Sequence, residues 1–72
     1  MGRYTVQTDG FLADNLDATN LDDAIAEAFD GEGLGAIVDL ASLEDKFARY
    51  VADGGWCRIK EDGVVIVSIG DR

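Results

Sequence analysis

Between Arg3 and Lys46 the chain carries eleven carboxylates and no base: Asp9, Asp14, Asp17, Asp22, Asp23, Glu27, Asp30, Glu32, Asp39, Glu44 and Asp45. That window stands at −11 and the remainder at +2, within a 72-residue chain of net charge −9. Carboxylates at this density support three kinds of chemistry. Pairs can move protons, clusters can ligate a hard cation, and a continuous face can hold a negative field toward a basic partner.

Proton transfer is poorly supported. There is no histidine, which removes the commonest acid–base group and the Ser–His and Cys–His dyads. The one cysteine, Cys57, has neither a disulfide partner nor companions for a zinc site. Arg58 follows it, but neighbouring strand residues point to opposite faces, so Cys57 reads as a small buried hydrophobe. Gly31, Gly33 and Gly35 lack the lysine and hydroxyl of a phosphate loop, and Glu32 would repel a phosphate. Carboxylate pairs of glycosidase type can be drawn almost anywhere in so acidic a chain, and a domain this small has little room for a substrate cleft. The chain is therefore read as a non-enzyme without cofactors.

Cation ligation has one candidate. Asp14, Asn15, Asp17, Asn20 and Asp22 are closely spaced oxygen donors, yet the twelve-residue calcium loop with its glycine and final glutamate is missing. No metal site is assigned.

The field remains. Asp22, Asp23, Glu27 and Asp30 lie opposite a Leu21/Ile25/Phe29 stripe, and Glu32 follows. Asp23, Glu27 and Asp30 recur at i, i+4, i+7, or about 4.5–6 Å along a helix axis. DNA spaces its phosphates about 3.4 Å apart on each strand, a similar density. Part of the cluster has a structural explanation, since Asp22 and Asp23 suit the positive end of a helix. Glu27 four residues after Asp23 does not, nor does Asp30 at the negative end. These five residues form the candidate partner-binding face. Its sign excludes direct binding of nucleic acid or an anionic membrane and calls for a basic protein surface.

Several elements must position this face. Arg3 to Thr8 alternates as a half-buried strand and Asp9-Gly10 is a turn signal. Phe11 to Leu16 is either a short returning strand or a loop. Asn20, or alternatively Thr19, caps a first helix, whose apolar stripe is Leu21, Ala24, Ile25, Ala28 and Phe29 and whose end is Asp30-Gly31. Ala36 to Ala41 fits a short strand or a helical turn. Ser42 to Asp45 resembles a capping box for a second helix with the stripe Leu43, Phe47, Tyr50 and Val51, an Asp45–Arg49 pair, and a stop at Gly54-Gly55. Trp56 to Lys60 and Val64 to Ile69 form a hairpin around Glu61-Asp62-Gly63, read as a type I turn with a Gly63 bulge. That register sets Cys57, Ile59, Val65, Val67 and Ile69 on one face, and Trp56, Arg58, Lys60, Val64, Ile66 and Ser68 on the other. The Trp56/Ile66 side is expected to be covered by the first strand, with a second subunit as the alternative.

The expectation is one α+β domain over residues 1–72: an antiparallel sheet of about three strands, with two helices packed on one face. Apolar content of 47% suffices for a core, and no stretch approaches the ~20 apolar residues of a membrane span. The opening residues fit neither a signal peptide nor a myristoylation site, and a reduced, cytoplasmic protein is expected.

A short, proline-free, histidine-free acidic domain bearing Asn20-Leu21-Asp22-Asp23-Ala24-Ile25-Ala26-Glu27-Ala28-Phe29-Asp30 resembles the phage-encoded anti-CRISPR proteins, in size, charge and architecture rather than in any motif. The resemblance implies stoichiometric inhibition, with carboxylates imitating phosphate in the basic channel of a CRISPR effector subunit in the host cytoplasm. The alternative is a small acidic adaptor, antitoxin-like or homodimeric, joined through the apolar hairpin face.

Overall fold

The computed structural model describes residues 2–30 and 37–70. The chain runs β1 (Gly2–Thr8), β2 (Leu12–Ala18), α1 (Leu21–Ala28), α2 (Leu40–Ala52), β3 (Cys57–Glu61) and β4 (Val64–Ile69). The four strands form one antiparallel sheet in the order β2-β1-β3-β4. The architecture is α+β as expected, with four strands rather than about three, because Phe11 to Leu16 belongs largely to a paired strand.

Thr8 closes the first hairpin: its Oγ1 accepts from the backbone N–H groups of Gly10 and Phe11, both at 3.0 Å. The ladder then breaks once. Leu16 pairs with Tyr4 and Ala13 with Val6, so Asp14 and Asn15 together oppose Thr5. Asn15 takes φ 60, a left-handed conformation that asparagine tolerates better than most residues. This bulge restores the core face, bringing Leu16 and Ala13 against the interior alongside Tyr4 and Val6.

Asn20 caps α1, its side chain accepting from the Asp23 N–H at 2.9 Å. The expected stripe is the buried one: Ala24, Ile25, Ala28 and Phe29 are core, with Leu21 packed at its margin. The second helix begins earlier than expected. Its N-cap is Asp39, and Ser42 supplies the reciprocal half of the capping box, so Ser42 to Asp45 lies inside the helix. Leu40 and Ala41 are accordingly helical. A Schellman motif ends α2, Gly54 N–H bonding to Val51 and Gly55 N–H to Tyr50, with Gly54 at φ 89. Leu43 and Phe47 are buried and Val51 partly so, but Tyr50 is exposed. Asp45 and Arg49 form no ion pair.

The β3–β4 turn also differs from expectation. Glu61 pairs with Val64 across a two-residue Asp62-Gly63 turn in which both residues have positive φ, 51 and 87. This is the primed geometry that matches strand twist. The bulge sits further along, at Ile66, between the Lys60–Val65 and Ile59–Val67 pairs. Cys57, Ile59, Val67 and Ile69 thus share the core face as expected, while Val65 lies beside Lys60 on the open face and Val64 beside Glu61. Both helices cover the face bearing Tyr4, Val6, Cys57 and Ile59.

An edge-to-face series, Phe11 to Phe29 at 5.3 Å and Phe29 to Phe47 at 6.4 Å, ties the first hairpin to both helices. The first strand does not cover the Trp56/Ile66 side; it pairs edge-on with β3. Val65 and Ile66 are 46% and 42% exposed, so that face of the hairpin is open; Val64, beside Glu61 at the turn, is 65% exposed.

Candidate acidic interface

The structure places Asp22, Asp23, Glu27 and Asp30 on the surface of α1 and its C-terminal turn, all exposed. Glu32 lies outside the described residues. The helix carries no base in its last turn, and no lysine or arginine pairs with Asp23, Glu27 or Asp30 among the described residues.

The four carboxylates are not equivalent. Asp22 Oδ1 accepts from the Leu40 N–H at 3.1 Å, closing one of the open donors at the start of α2. Asp22 is therefore a structural link as well as a surface charge. The Asp23 backbone is held by Asn20, but its carboxylate bonds to nothing described. Asp23 and Glu27 stand one turn apart on the solvent face, a like-charge pair costing roughly 0.2–0.5 kcal/mol. Asp30 follows the helix end, at the negative pole of its dipole.

Charge divides by position in the fold. α1 packs against β2 and β1, and this half carries seven carboxylates, Asp9, Asp14, Asp17, Asp22, Asp23, Glu27 and Asp30, against Arg3 alone. Four of the six bases, Lys46, Arg49, Arg58 and Lys60, lie on α2 and β3. The acids of the basic-free window do not form one sheet of charge, however. Asp14 and Asp17 belong to the edge strand β2, where Asp17 pairs across from Arg3. Asp39 is used at the α2 cap, where bonds from the Ser42 backbone and side chain hold its carboxyl below the usual range. Asp23, Glu27 and Asp30 on α1 and its C-terminal turn accept no described hydrogen bond, and neither do Asp9 and Asp17 in the first hairpin or Glu44, Asp45 and Asp53 on α2 and its cap.

Asp14 is likewise committed, accepting from Thr5 Oγ1 at 2.8 Å and from the Asn15 N–H at 2.9 Å. Arg3 Nη1 reaches Asn15 Oδ1 at 2.8 Å. Four of the five oxygen donors considered for calcium are thus occupied by turn, bulge and helix-cap geometry, in Asp14, Asn15, Asn20 and Asp22. Among the described residues no group of three or more acidic or cysteine side chains is arranged to hold a metal ion. Cys57 is buried beneath the sheet, and desolvation pushes its thiol up to about 11, which makes it a poor nucleophile.

The sequence did not point to the structural duties of Asp22 and Asp39. A D-x-x-S box at Asp39 to Ser42 was the available signal for the second. The bond from Leu40 to Asp22 spans 18 residues and has no local signature.

Fold and site together describe a small α+β protein with a four-stranded antiparallel sheet, two helices on one face and an acidic first helix. No protein-family model, curated protein or solved structure matches the chain. No helix among the described residues is long and apolar enough to cross a membrane.

Proposed function

We propose that the protein is a stoichiometric, non-catalytic inhibitor that docks the acidic face of α1 onto a basic nucleic-acid-binding protein. Asp23, Glu27 and Asp30 form the centre of the contact, with Asp22 and Glu32 beside them. The observation that carries the reading is the Asp23–Glu27 pair: exposed, of one sign, without an ion pair to a lysine or arginine among the described residues, and mildly costly to the helix that bears it. A helix selected only for stability would place lysine or arginine at one of these positions.

The resemblance to anti-CRISPR proteins supplies the target class: a subunit of an RNA-guided DNA-binding complex in the host cytoplasm, most simply at its basic site for the short motif beside the target. Bases that read DNA there would meet carboxylates at a spacing comparable to phosphates. Opposite charge would steer association, giving a fast on-rate that falls with salt.

The test is displacement of target DNA from a panel of purified RNA-guided complexes titrated with the protein. Inhibition saturating near one equivalent supports the reading. If no complex in the panel releases its DNA, the assignment fails.

A further inference from the structure

Four aspartates in this chain precede a glycine: Asp9-Gly10, Asp30-Gly31, Asp53-Gly54 and Asp62-Gly63. At such a bond the side-chain carboxyl closes readily on the main chain, because glycine has no Cβ to shield its nitrogen. That nitrogen must first be out of any hydrogen bond it donates. The structure separates the pairs on this point. The Gly10 N–H donates to Thr8 Oγ1 at 3.0 Å, and the Gly54 N–H donates to the Val51 carbonyl at 3.0 Å. Gly31 lies outside the described residues. The Gly63 N–H has no acceptor among the described residues. Asp62, Gly63 and Val64 are all exposed, and nothing lies within 4 Å of the place a Gly63 Cβ would take.

We propose that Asp62 is a site of spontaneous isomerisation to isoaspartate. The Gly63 nitrogen attacks Cγ of the protonated Asp62 carboxyl, whose Oδ1 is held by the Arg3 N–H at 3.2 Å. A Cγ–N bond forms, the Cγ–Oδ2 bond breaks, and the nitrogen's proton leaves with that hydroxyl as water. The resulting succinimide takes a water back at either carbonyl. Opening at Cγ restores aspartate. Opening at the main-chain carbonyl of Asp62 gives isoaspartate, in which the chain runs through Cβ and Cγ. No oxidant or reductant enters, and the water lost balances the water gained.

The product does not fit the turn. It adds a methylene to the main chain between Glu61 and Val64, which pair across only two residues. Asp62 also clasps the start of β1, its N–H donating to the Arg3 carbonyl at 2.8 Å while Oδ1 accepts from Arg3 in return. Isomerisation therefore loosens β1 from the hairpin. It also exposes an α-carboxylate of the kind that isoaspartyl carboxyl methyltransferases methylate. The chemistry concerns the hairpin alone and proceeds whether or not α1 binds a partner.

The folded chain is incubated below its melting transition, and peptide mapping that distinguishes aspartate from isoaspartate reads Asp9, Asp53 and Asp62 together. Asp62 should convert at least about fivefold faster than the other two, the factor set by the one hydrogen bond that must first open at their amides. In urea that bond is gone and the three rates should converge. Thr8→Val, which frees the Gly10 amide, should raise the Asp9 rate toward that of Asp62, with Trp56 fluorescence checking the fold. A folded-state rate at Asp62 no greater than at Asp9 and Asp53 overturns the proposal. So does a preference for Asp62 that persists in urea, or an Asp9 rate unmoved by Thr8→Val.

Discussion

Asp22 in the first turn of α1 accepts a hydrogen bond from the backbone of Leu40, the first residue of α2, at 3.1 Å. A carboxylate within the candidate interface thus also joins the two helices. Asp23, its neighbour in sequence, makes no such contact through its side chain.

Substitution should separate the two. Asp22→Ala removes the link and leaves an α2 amide open, and should lower stability by about 1 kcal/mol. Asp23→Ala should leave stability within about 0.5 kcal/mol of the parent, since relief of the Asp23–Glu27 repulsion offsets the lost dipole interaction. Urea unfolding of both variants makes the comparison.

Asp39 ties stability to acid. Its carboxyl is held below the ordinary range by bonds from Ser42, so the folded state favours the ionised form. That contribution is complete above the ordinary carboxylate range and is lost as pH falls through the lowered folded value. Asp39→Asn keeps the cap but cannot titrate, and its melting temperature should fall less steeply between about pH 5 and pH 2.

Tyr4 acts at the other end of the scale. Burial pushes its phenol up, helped by its hydrogen bond to Glu61 at 3.2 Å and by the nearby carboxylates. The folded state holds this proton longer than the unfolded chain. Stability should be full below the ordinary tyrosine range, about pH 10, and decline as pH rises above it. Ultraviolet titration of the parent against Tyr4→Phe should assign the late-ionising phenol to Tyr4.

Two glycines with φ 87 should respond differently to alanine. At Gly63 an added Cβ meets nothing within 4 Å, so Gly63→Ala costs only left-handed strain, about 1–2 kcal/mol. At Gly70 the Cβ would come within 2.5 Å of the Gly55 carbonyl oxygen and 3.0 Å of Trp56 Cα. Gly70→Ala should therefore be the more destabilising of the two in thermal melts.

Much of the fold was readable because periodicity and caps agreed. The α1 stripe with its Asn20 cap, the β1 alternation and the Cys57/Ile59/Val67/Ile69 face all stand as the residue pattern implies. β2 was not readable because the bulge at Asp14 and Asn15 shifts its parity midway, so its apolar positions never alternate cleanly. The hairpin turn differs because a three-residue turn and a two-residue turn with a later bulge both leave Cys57, Ile59, Val67 and Ile69 on one face; the first would set Ile59 opposite Val65, whereas the bulge sets it opposite Val67 and exchanges the faces of Val64 and Val65. The start of α2 was set too late because Ser42 looks like an N-cap when its hydroxyl is serving Asp39. At the site, the solvent-facing carboxylates of α1 followed from helical spacing. Asp22's bond to α2 is tertiary and left no trace in sequence.

The central claim is that the unpaired carboxylates of α1 carry the binding. Its most direct measurement is DNA displacement from an RNA-guided complex by the parent protein and by Asp23→Lys/Glu27→Lys, at low and high salt. The account predicts displacement by the parent that weakens with salt, none by the charge-reversed variant, and a variant fold at least as stable as the parent. Equal displacement by the two proteins would contradict it.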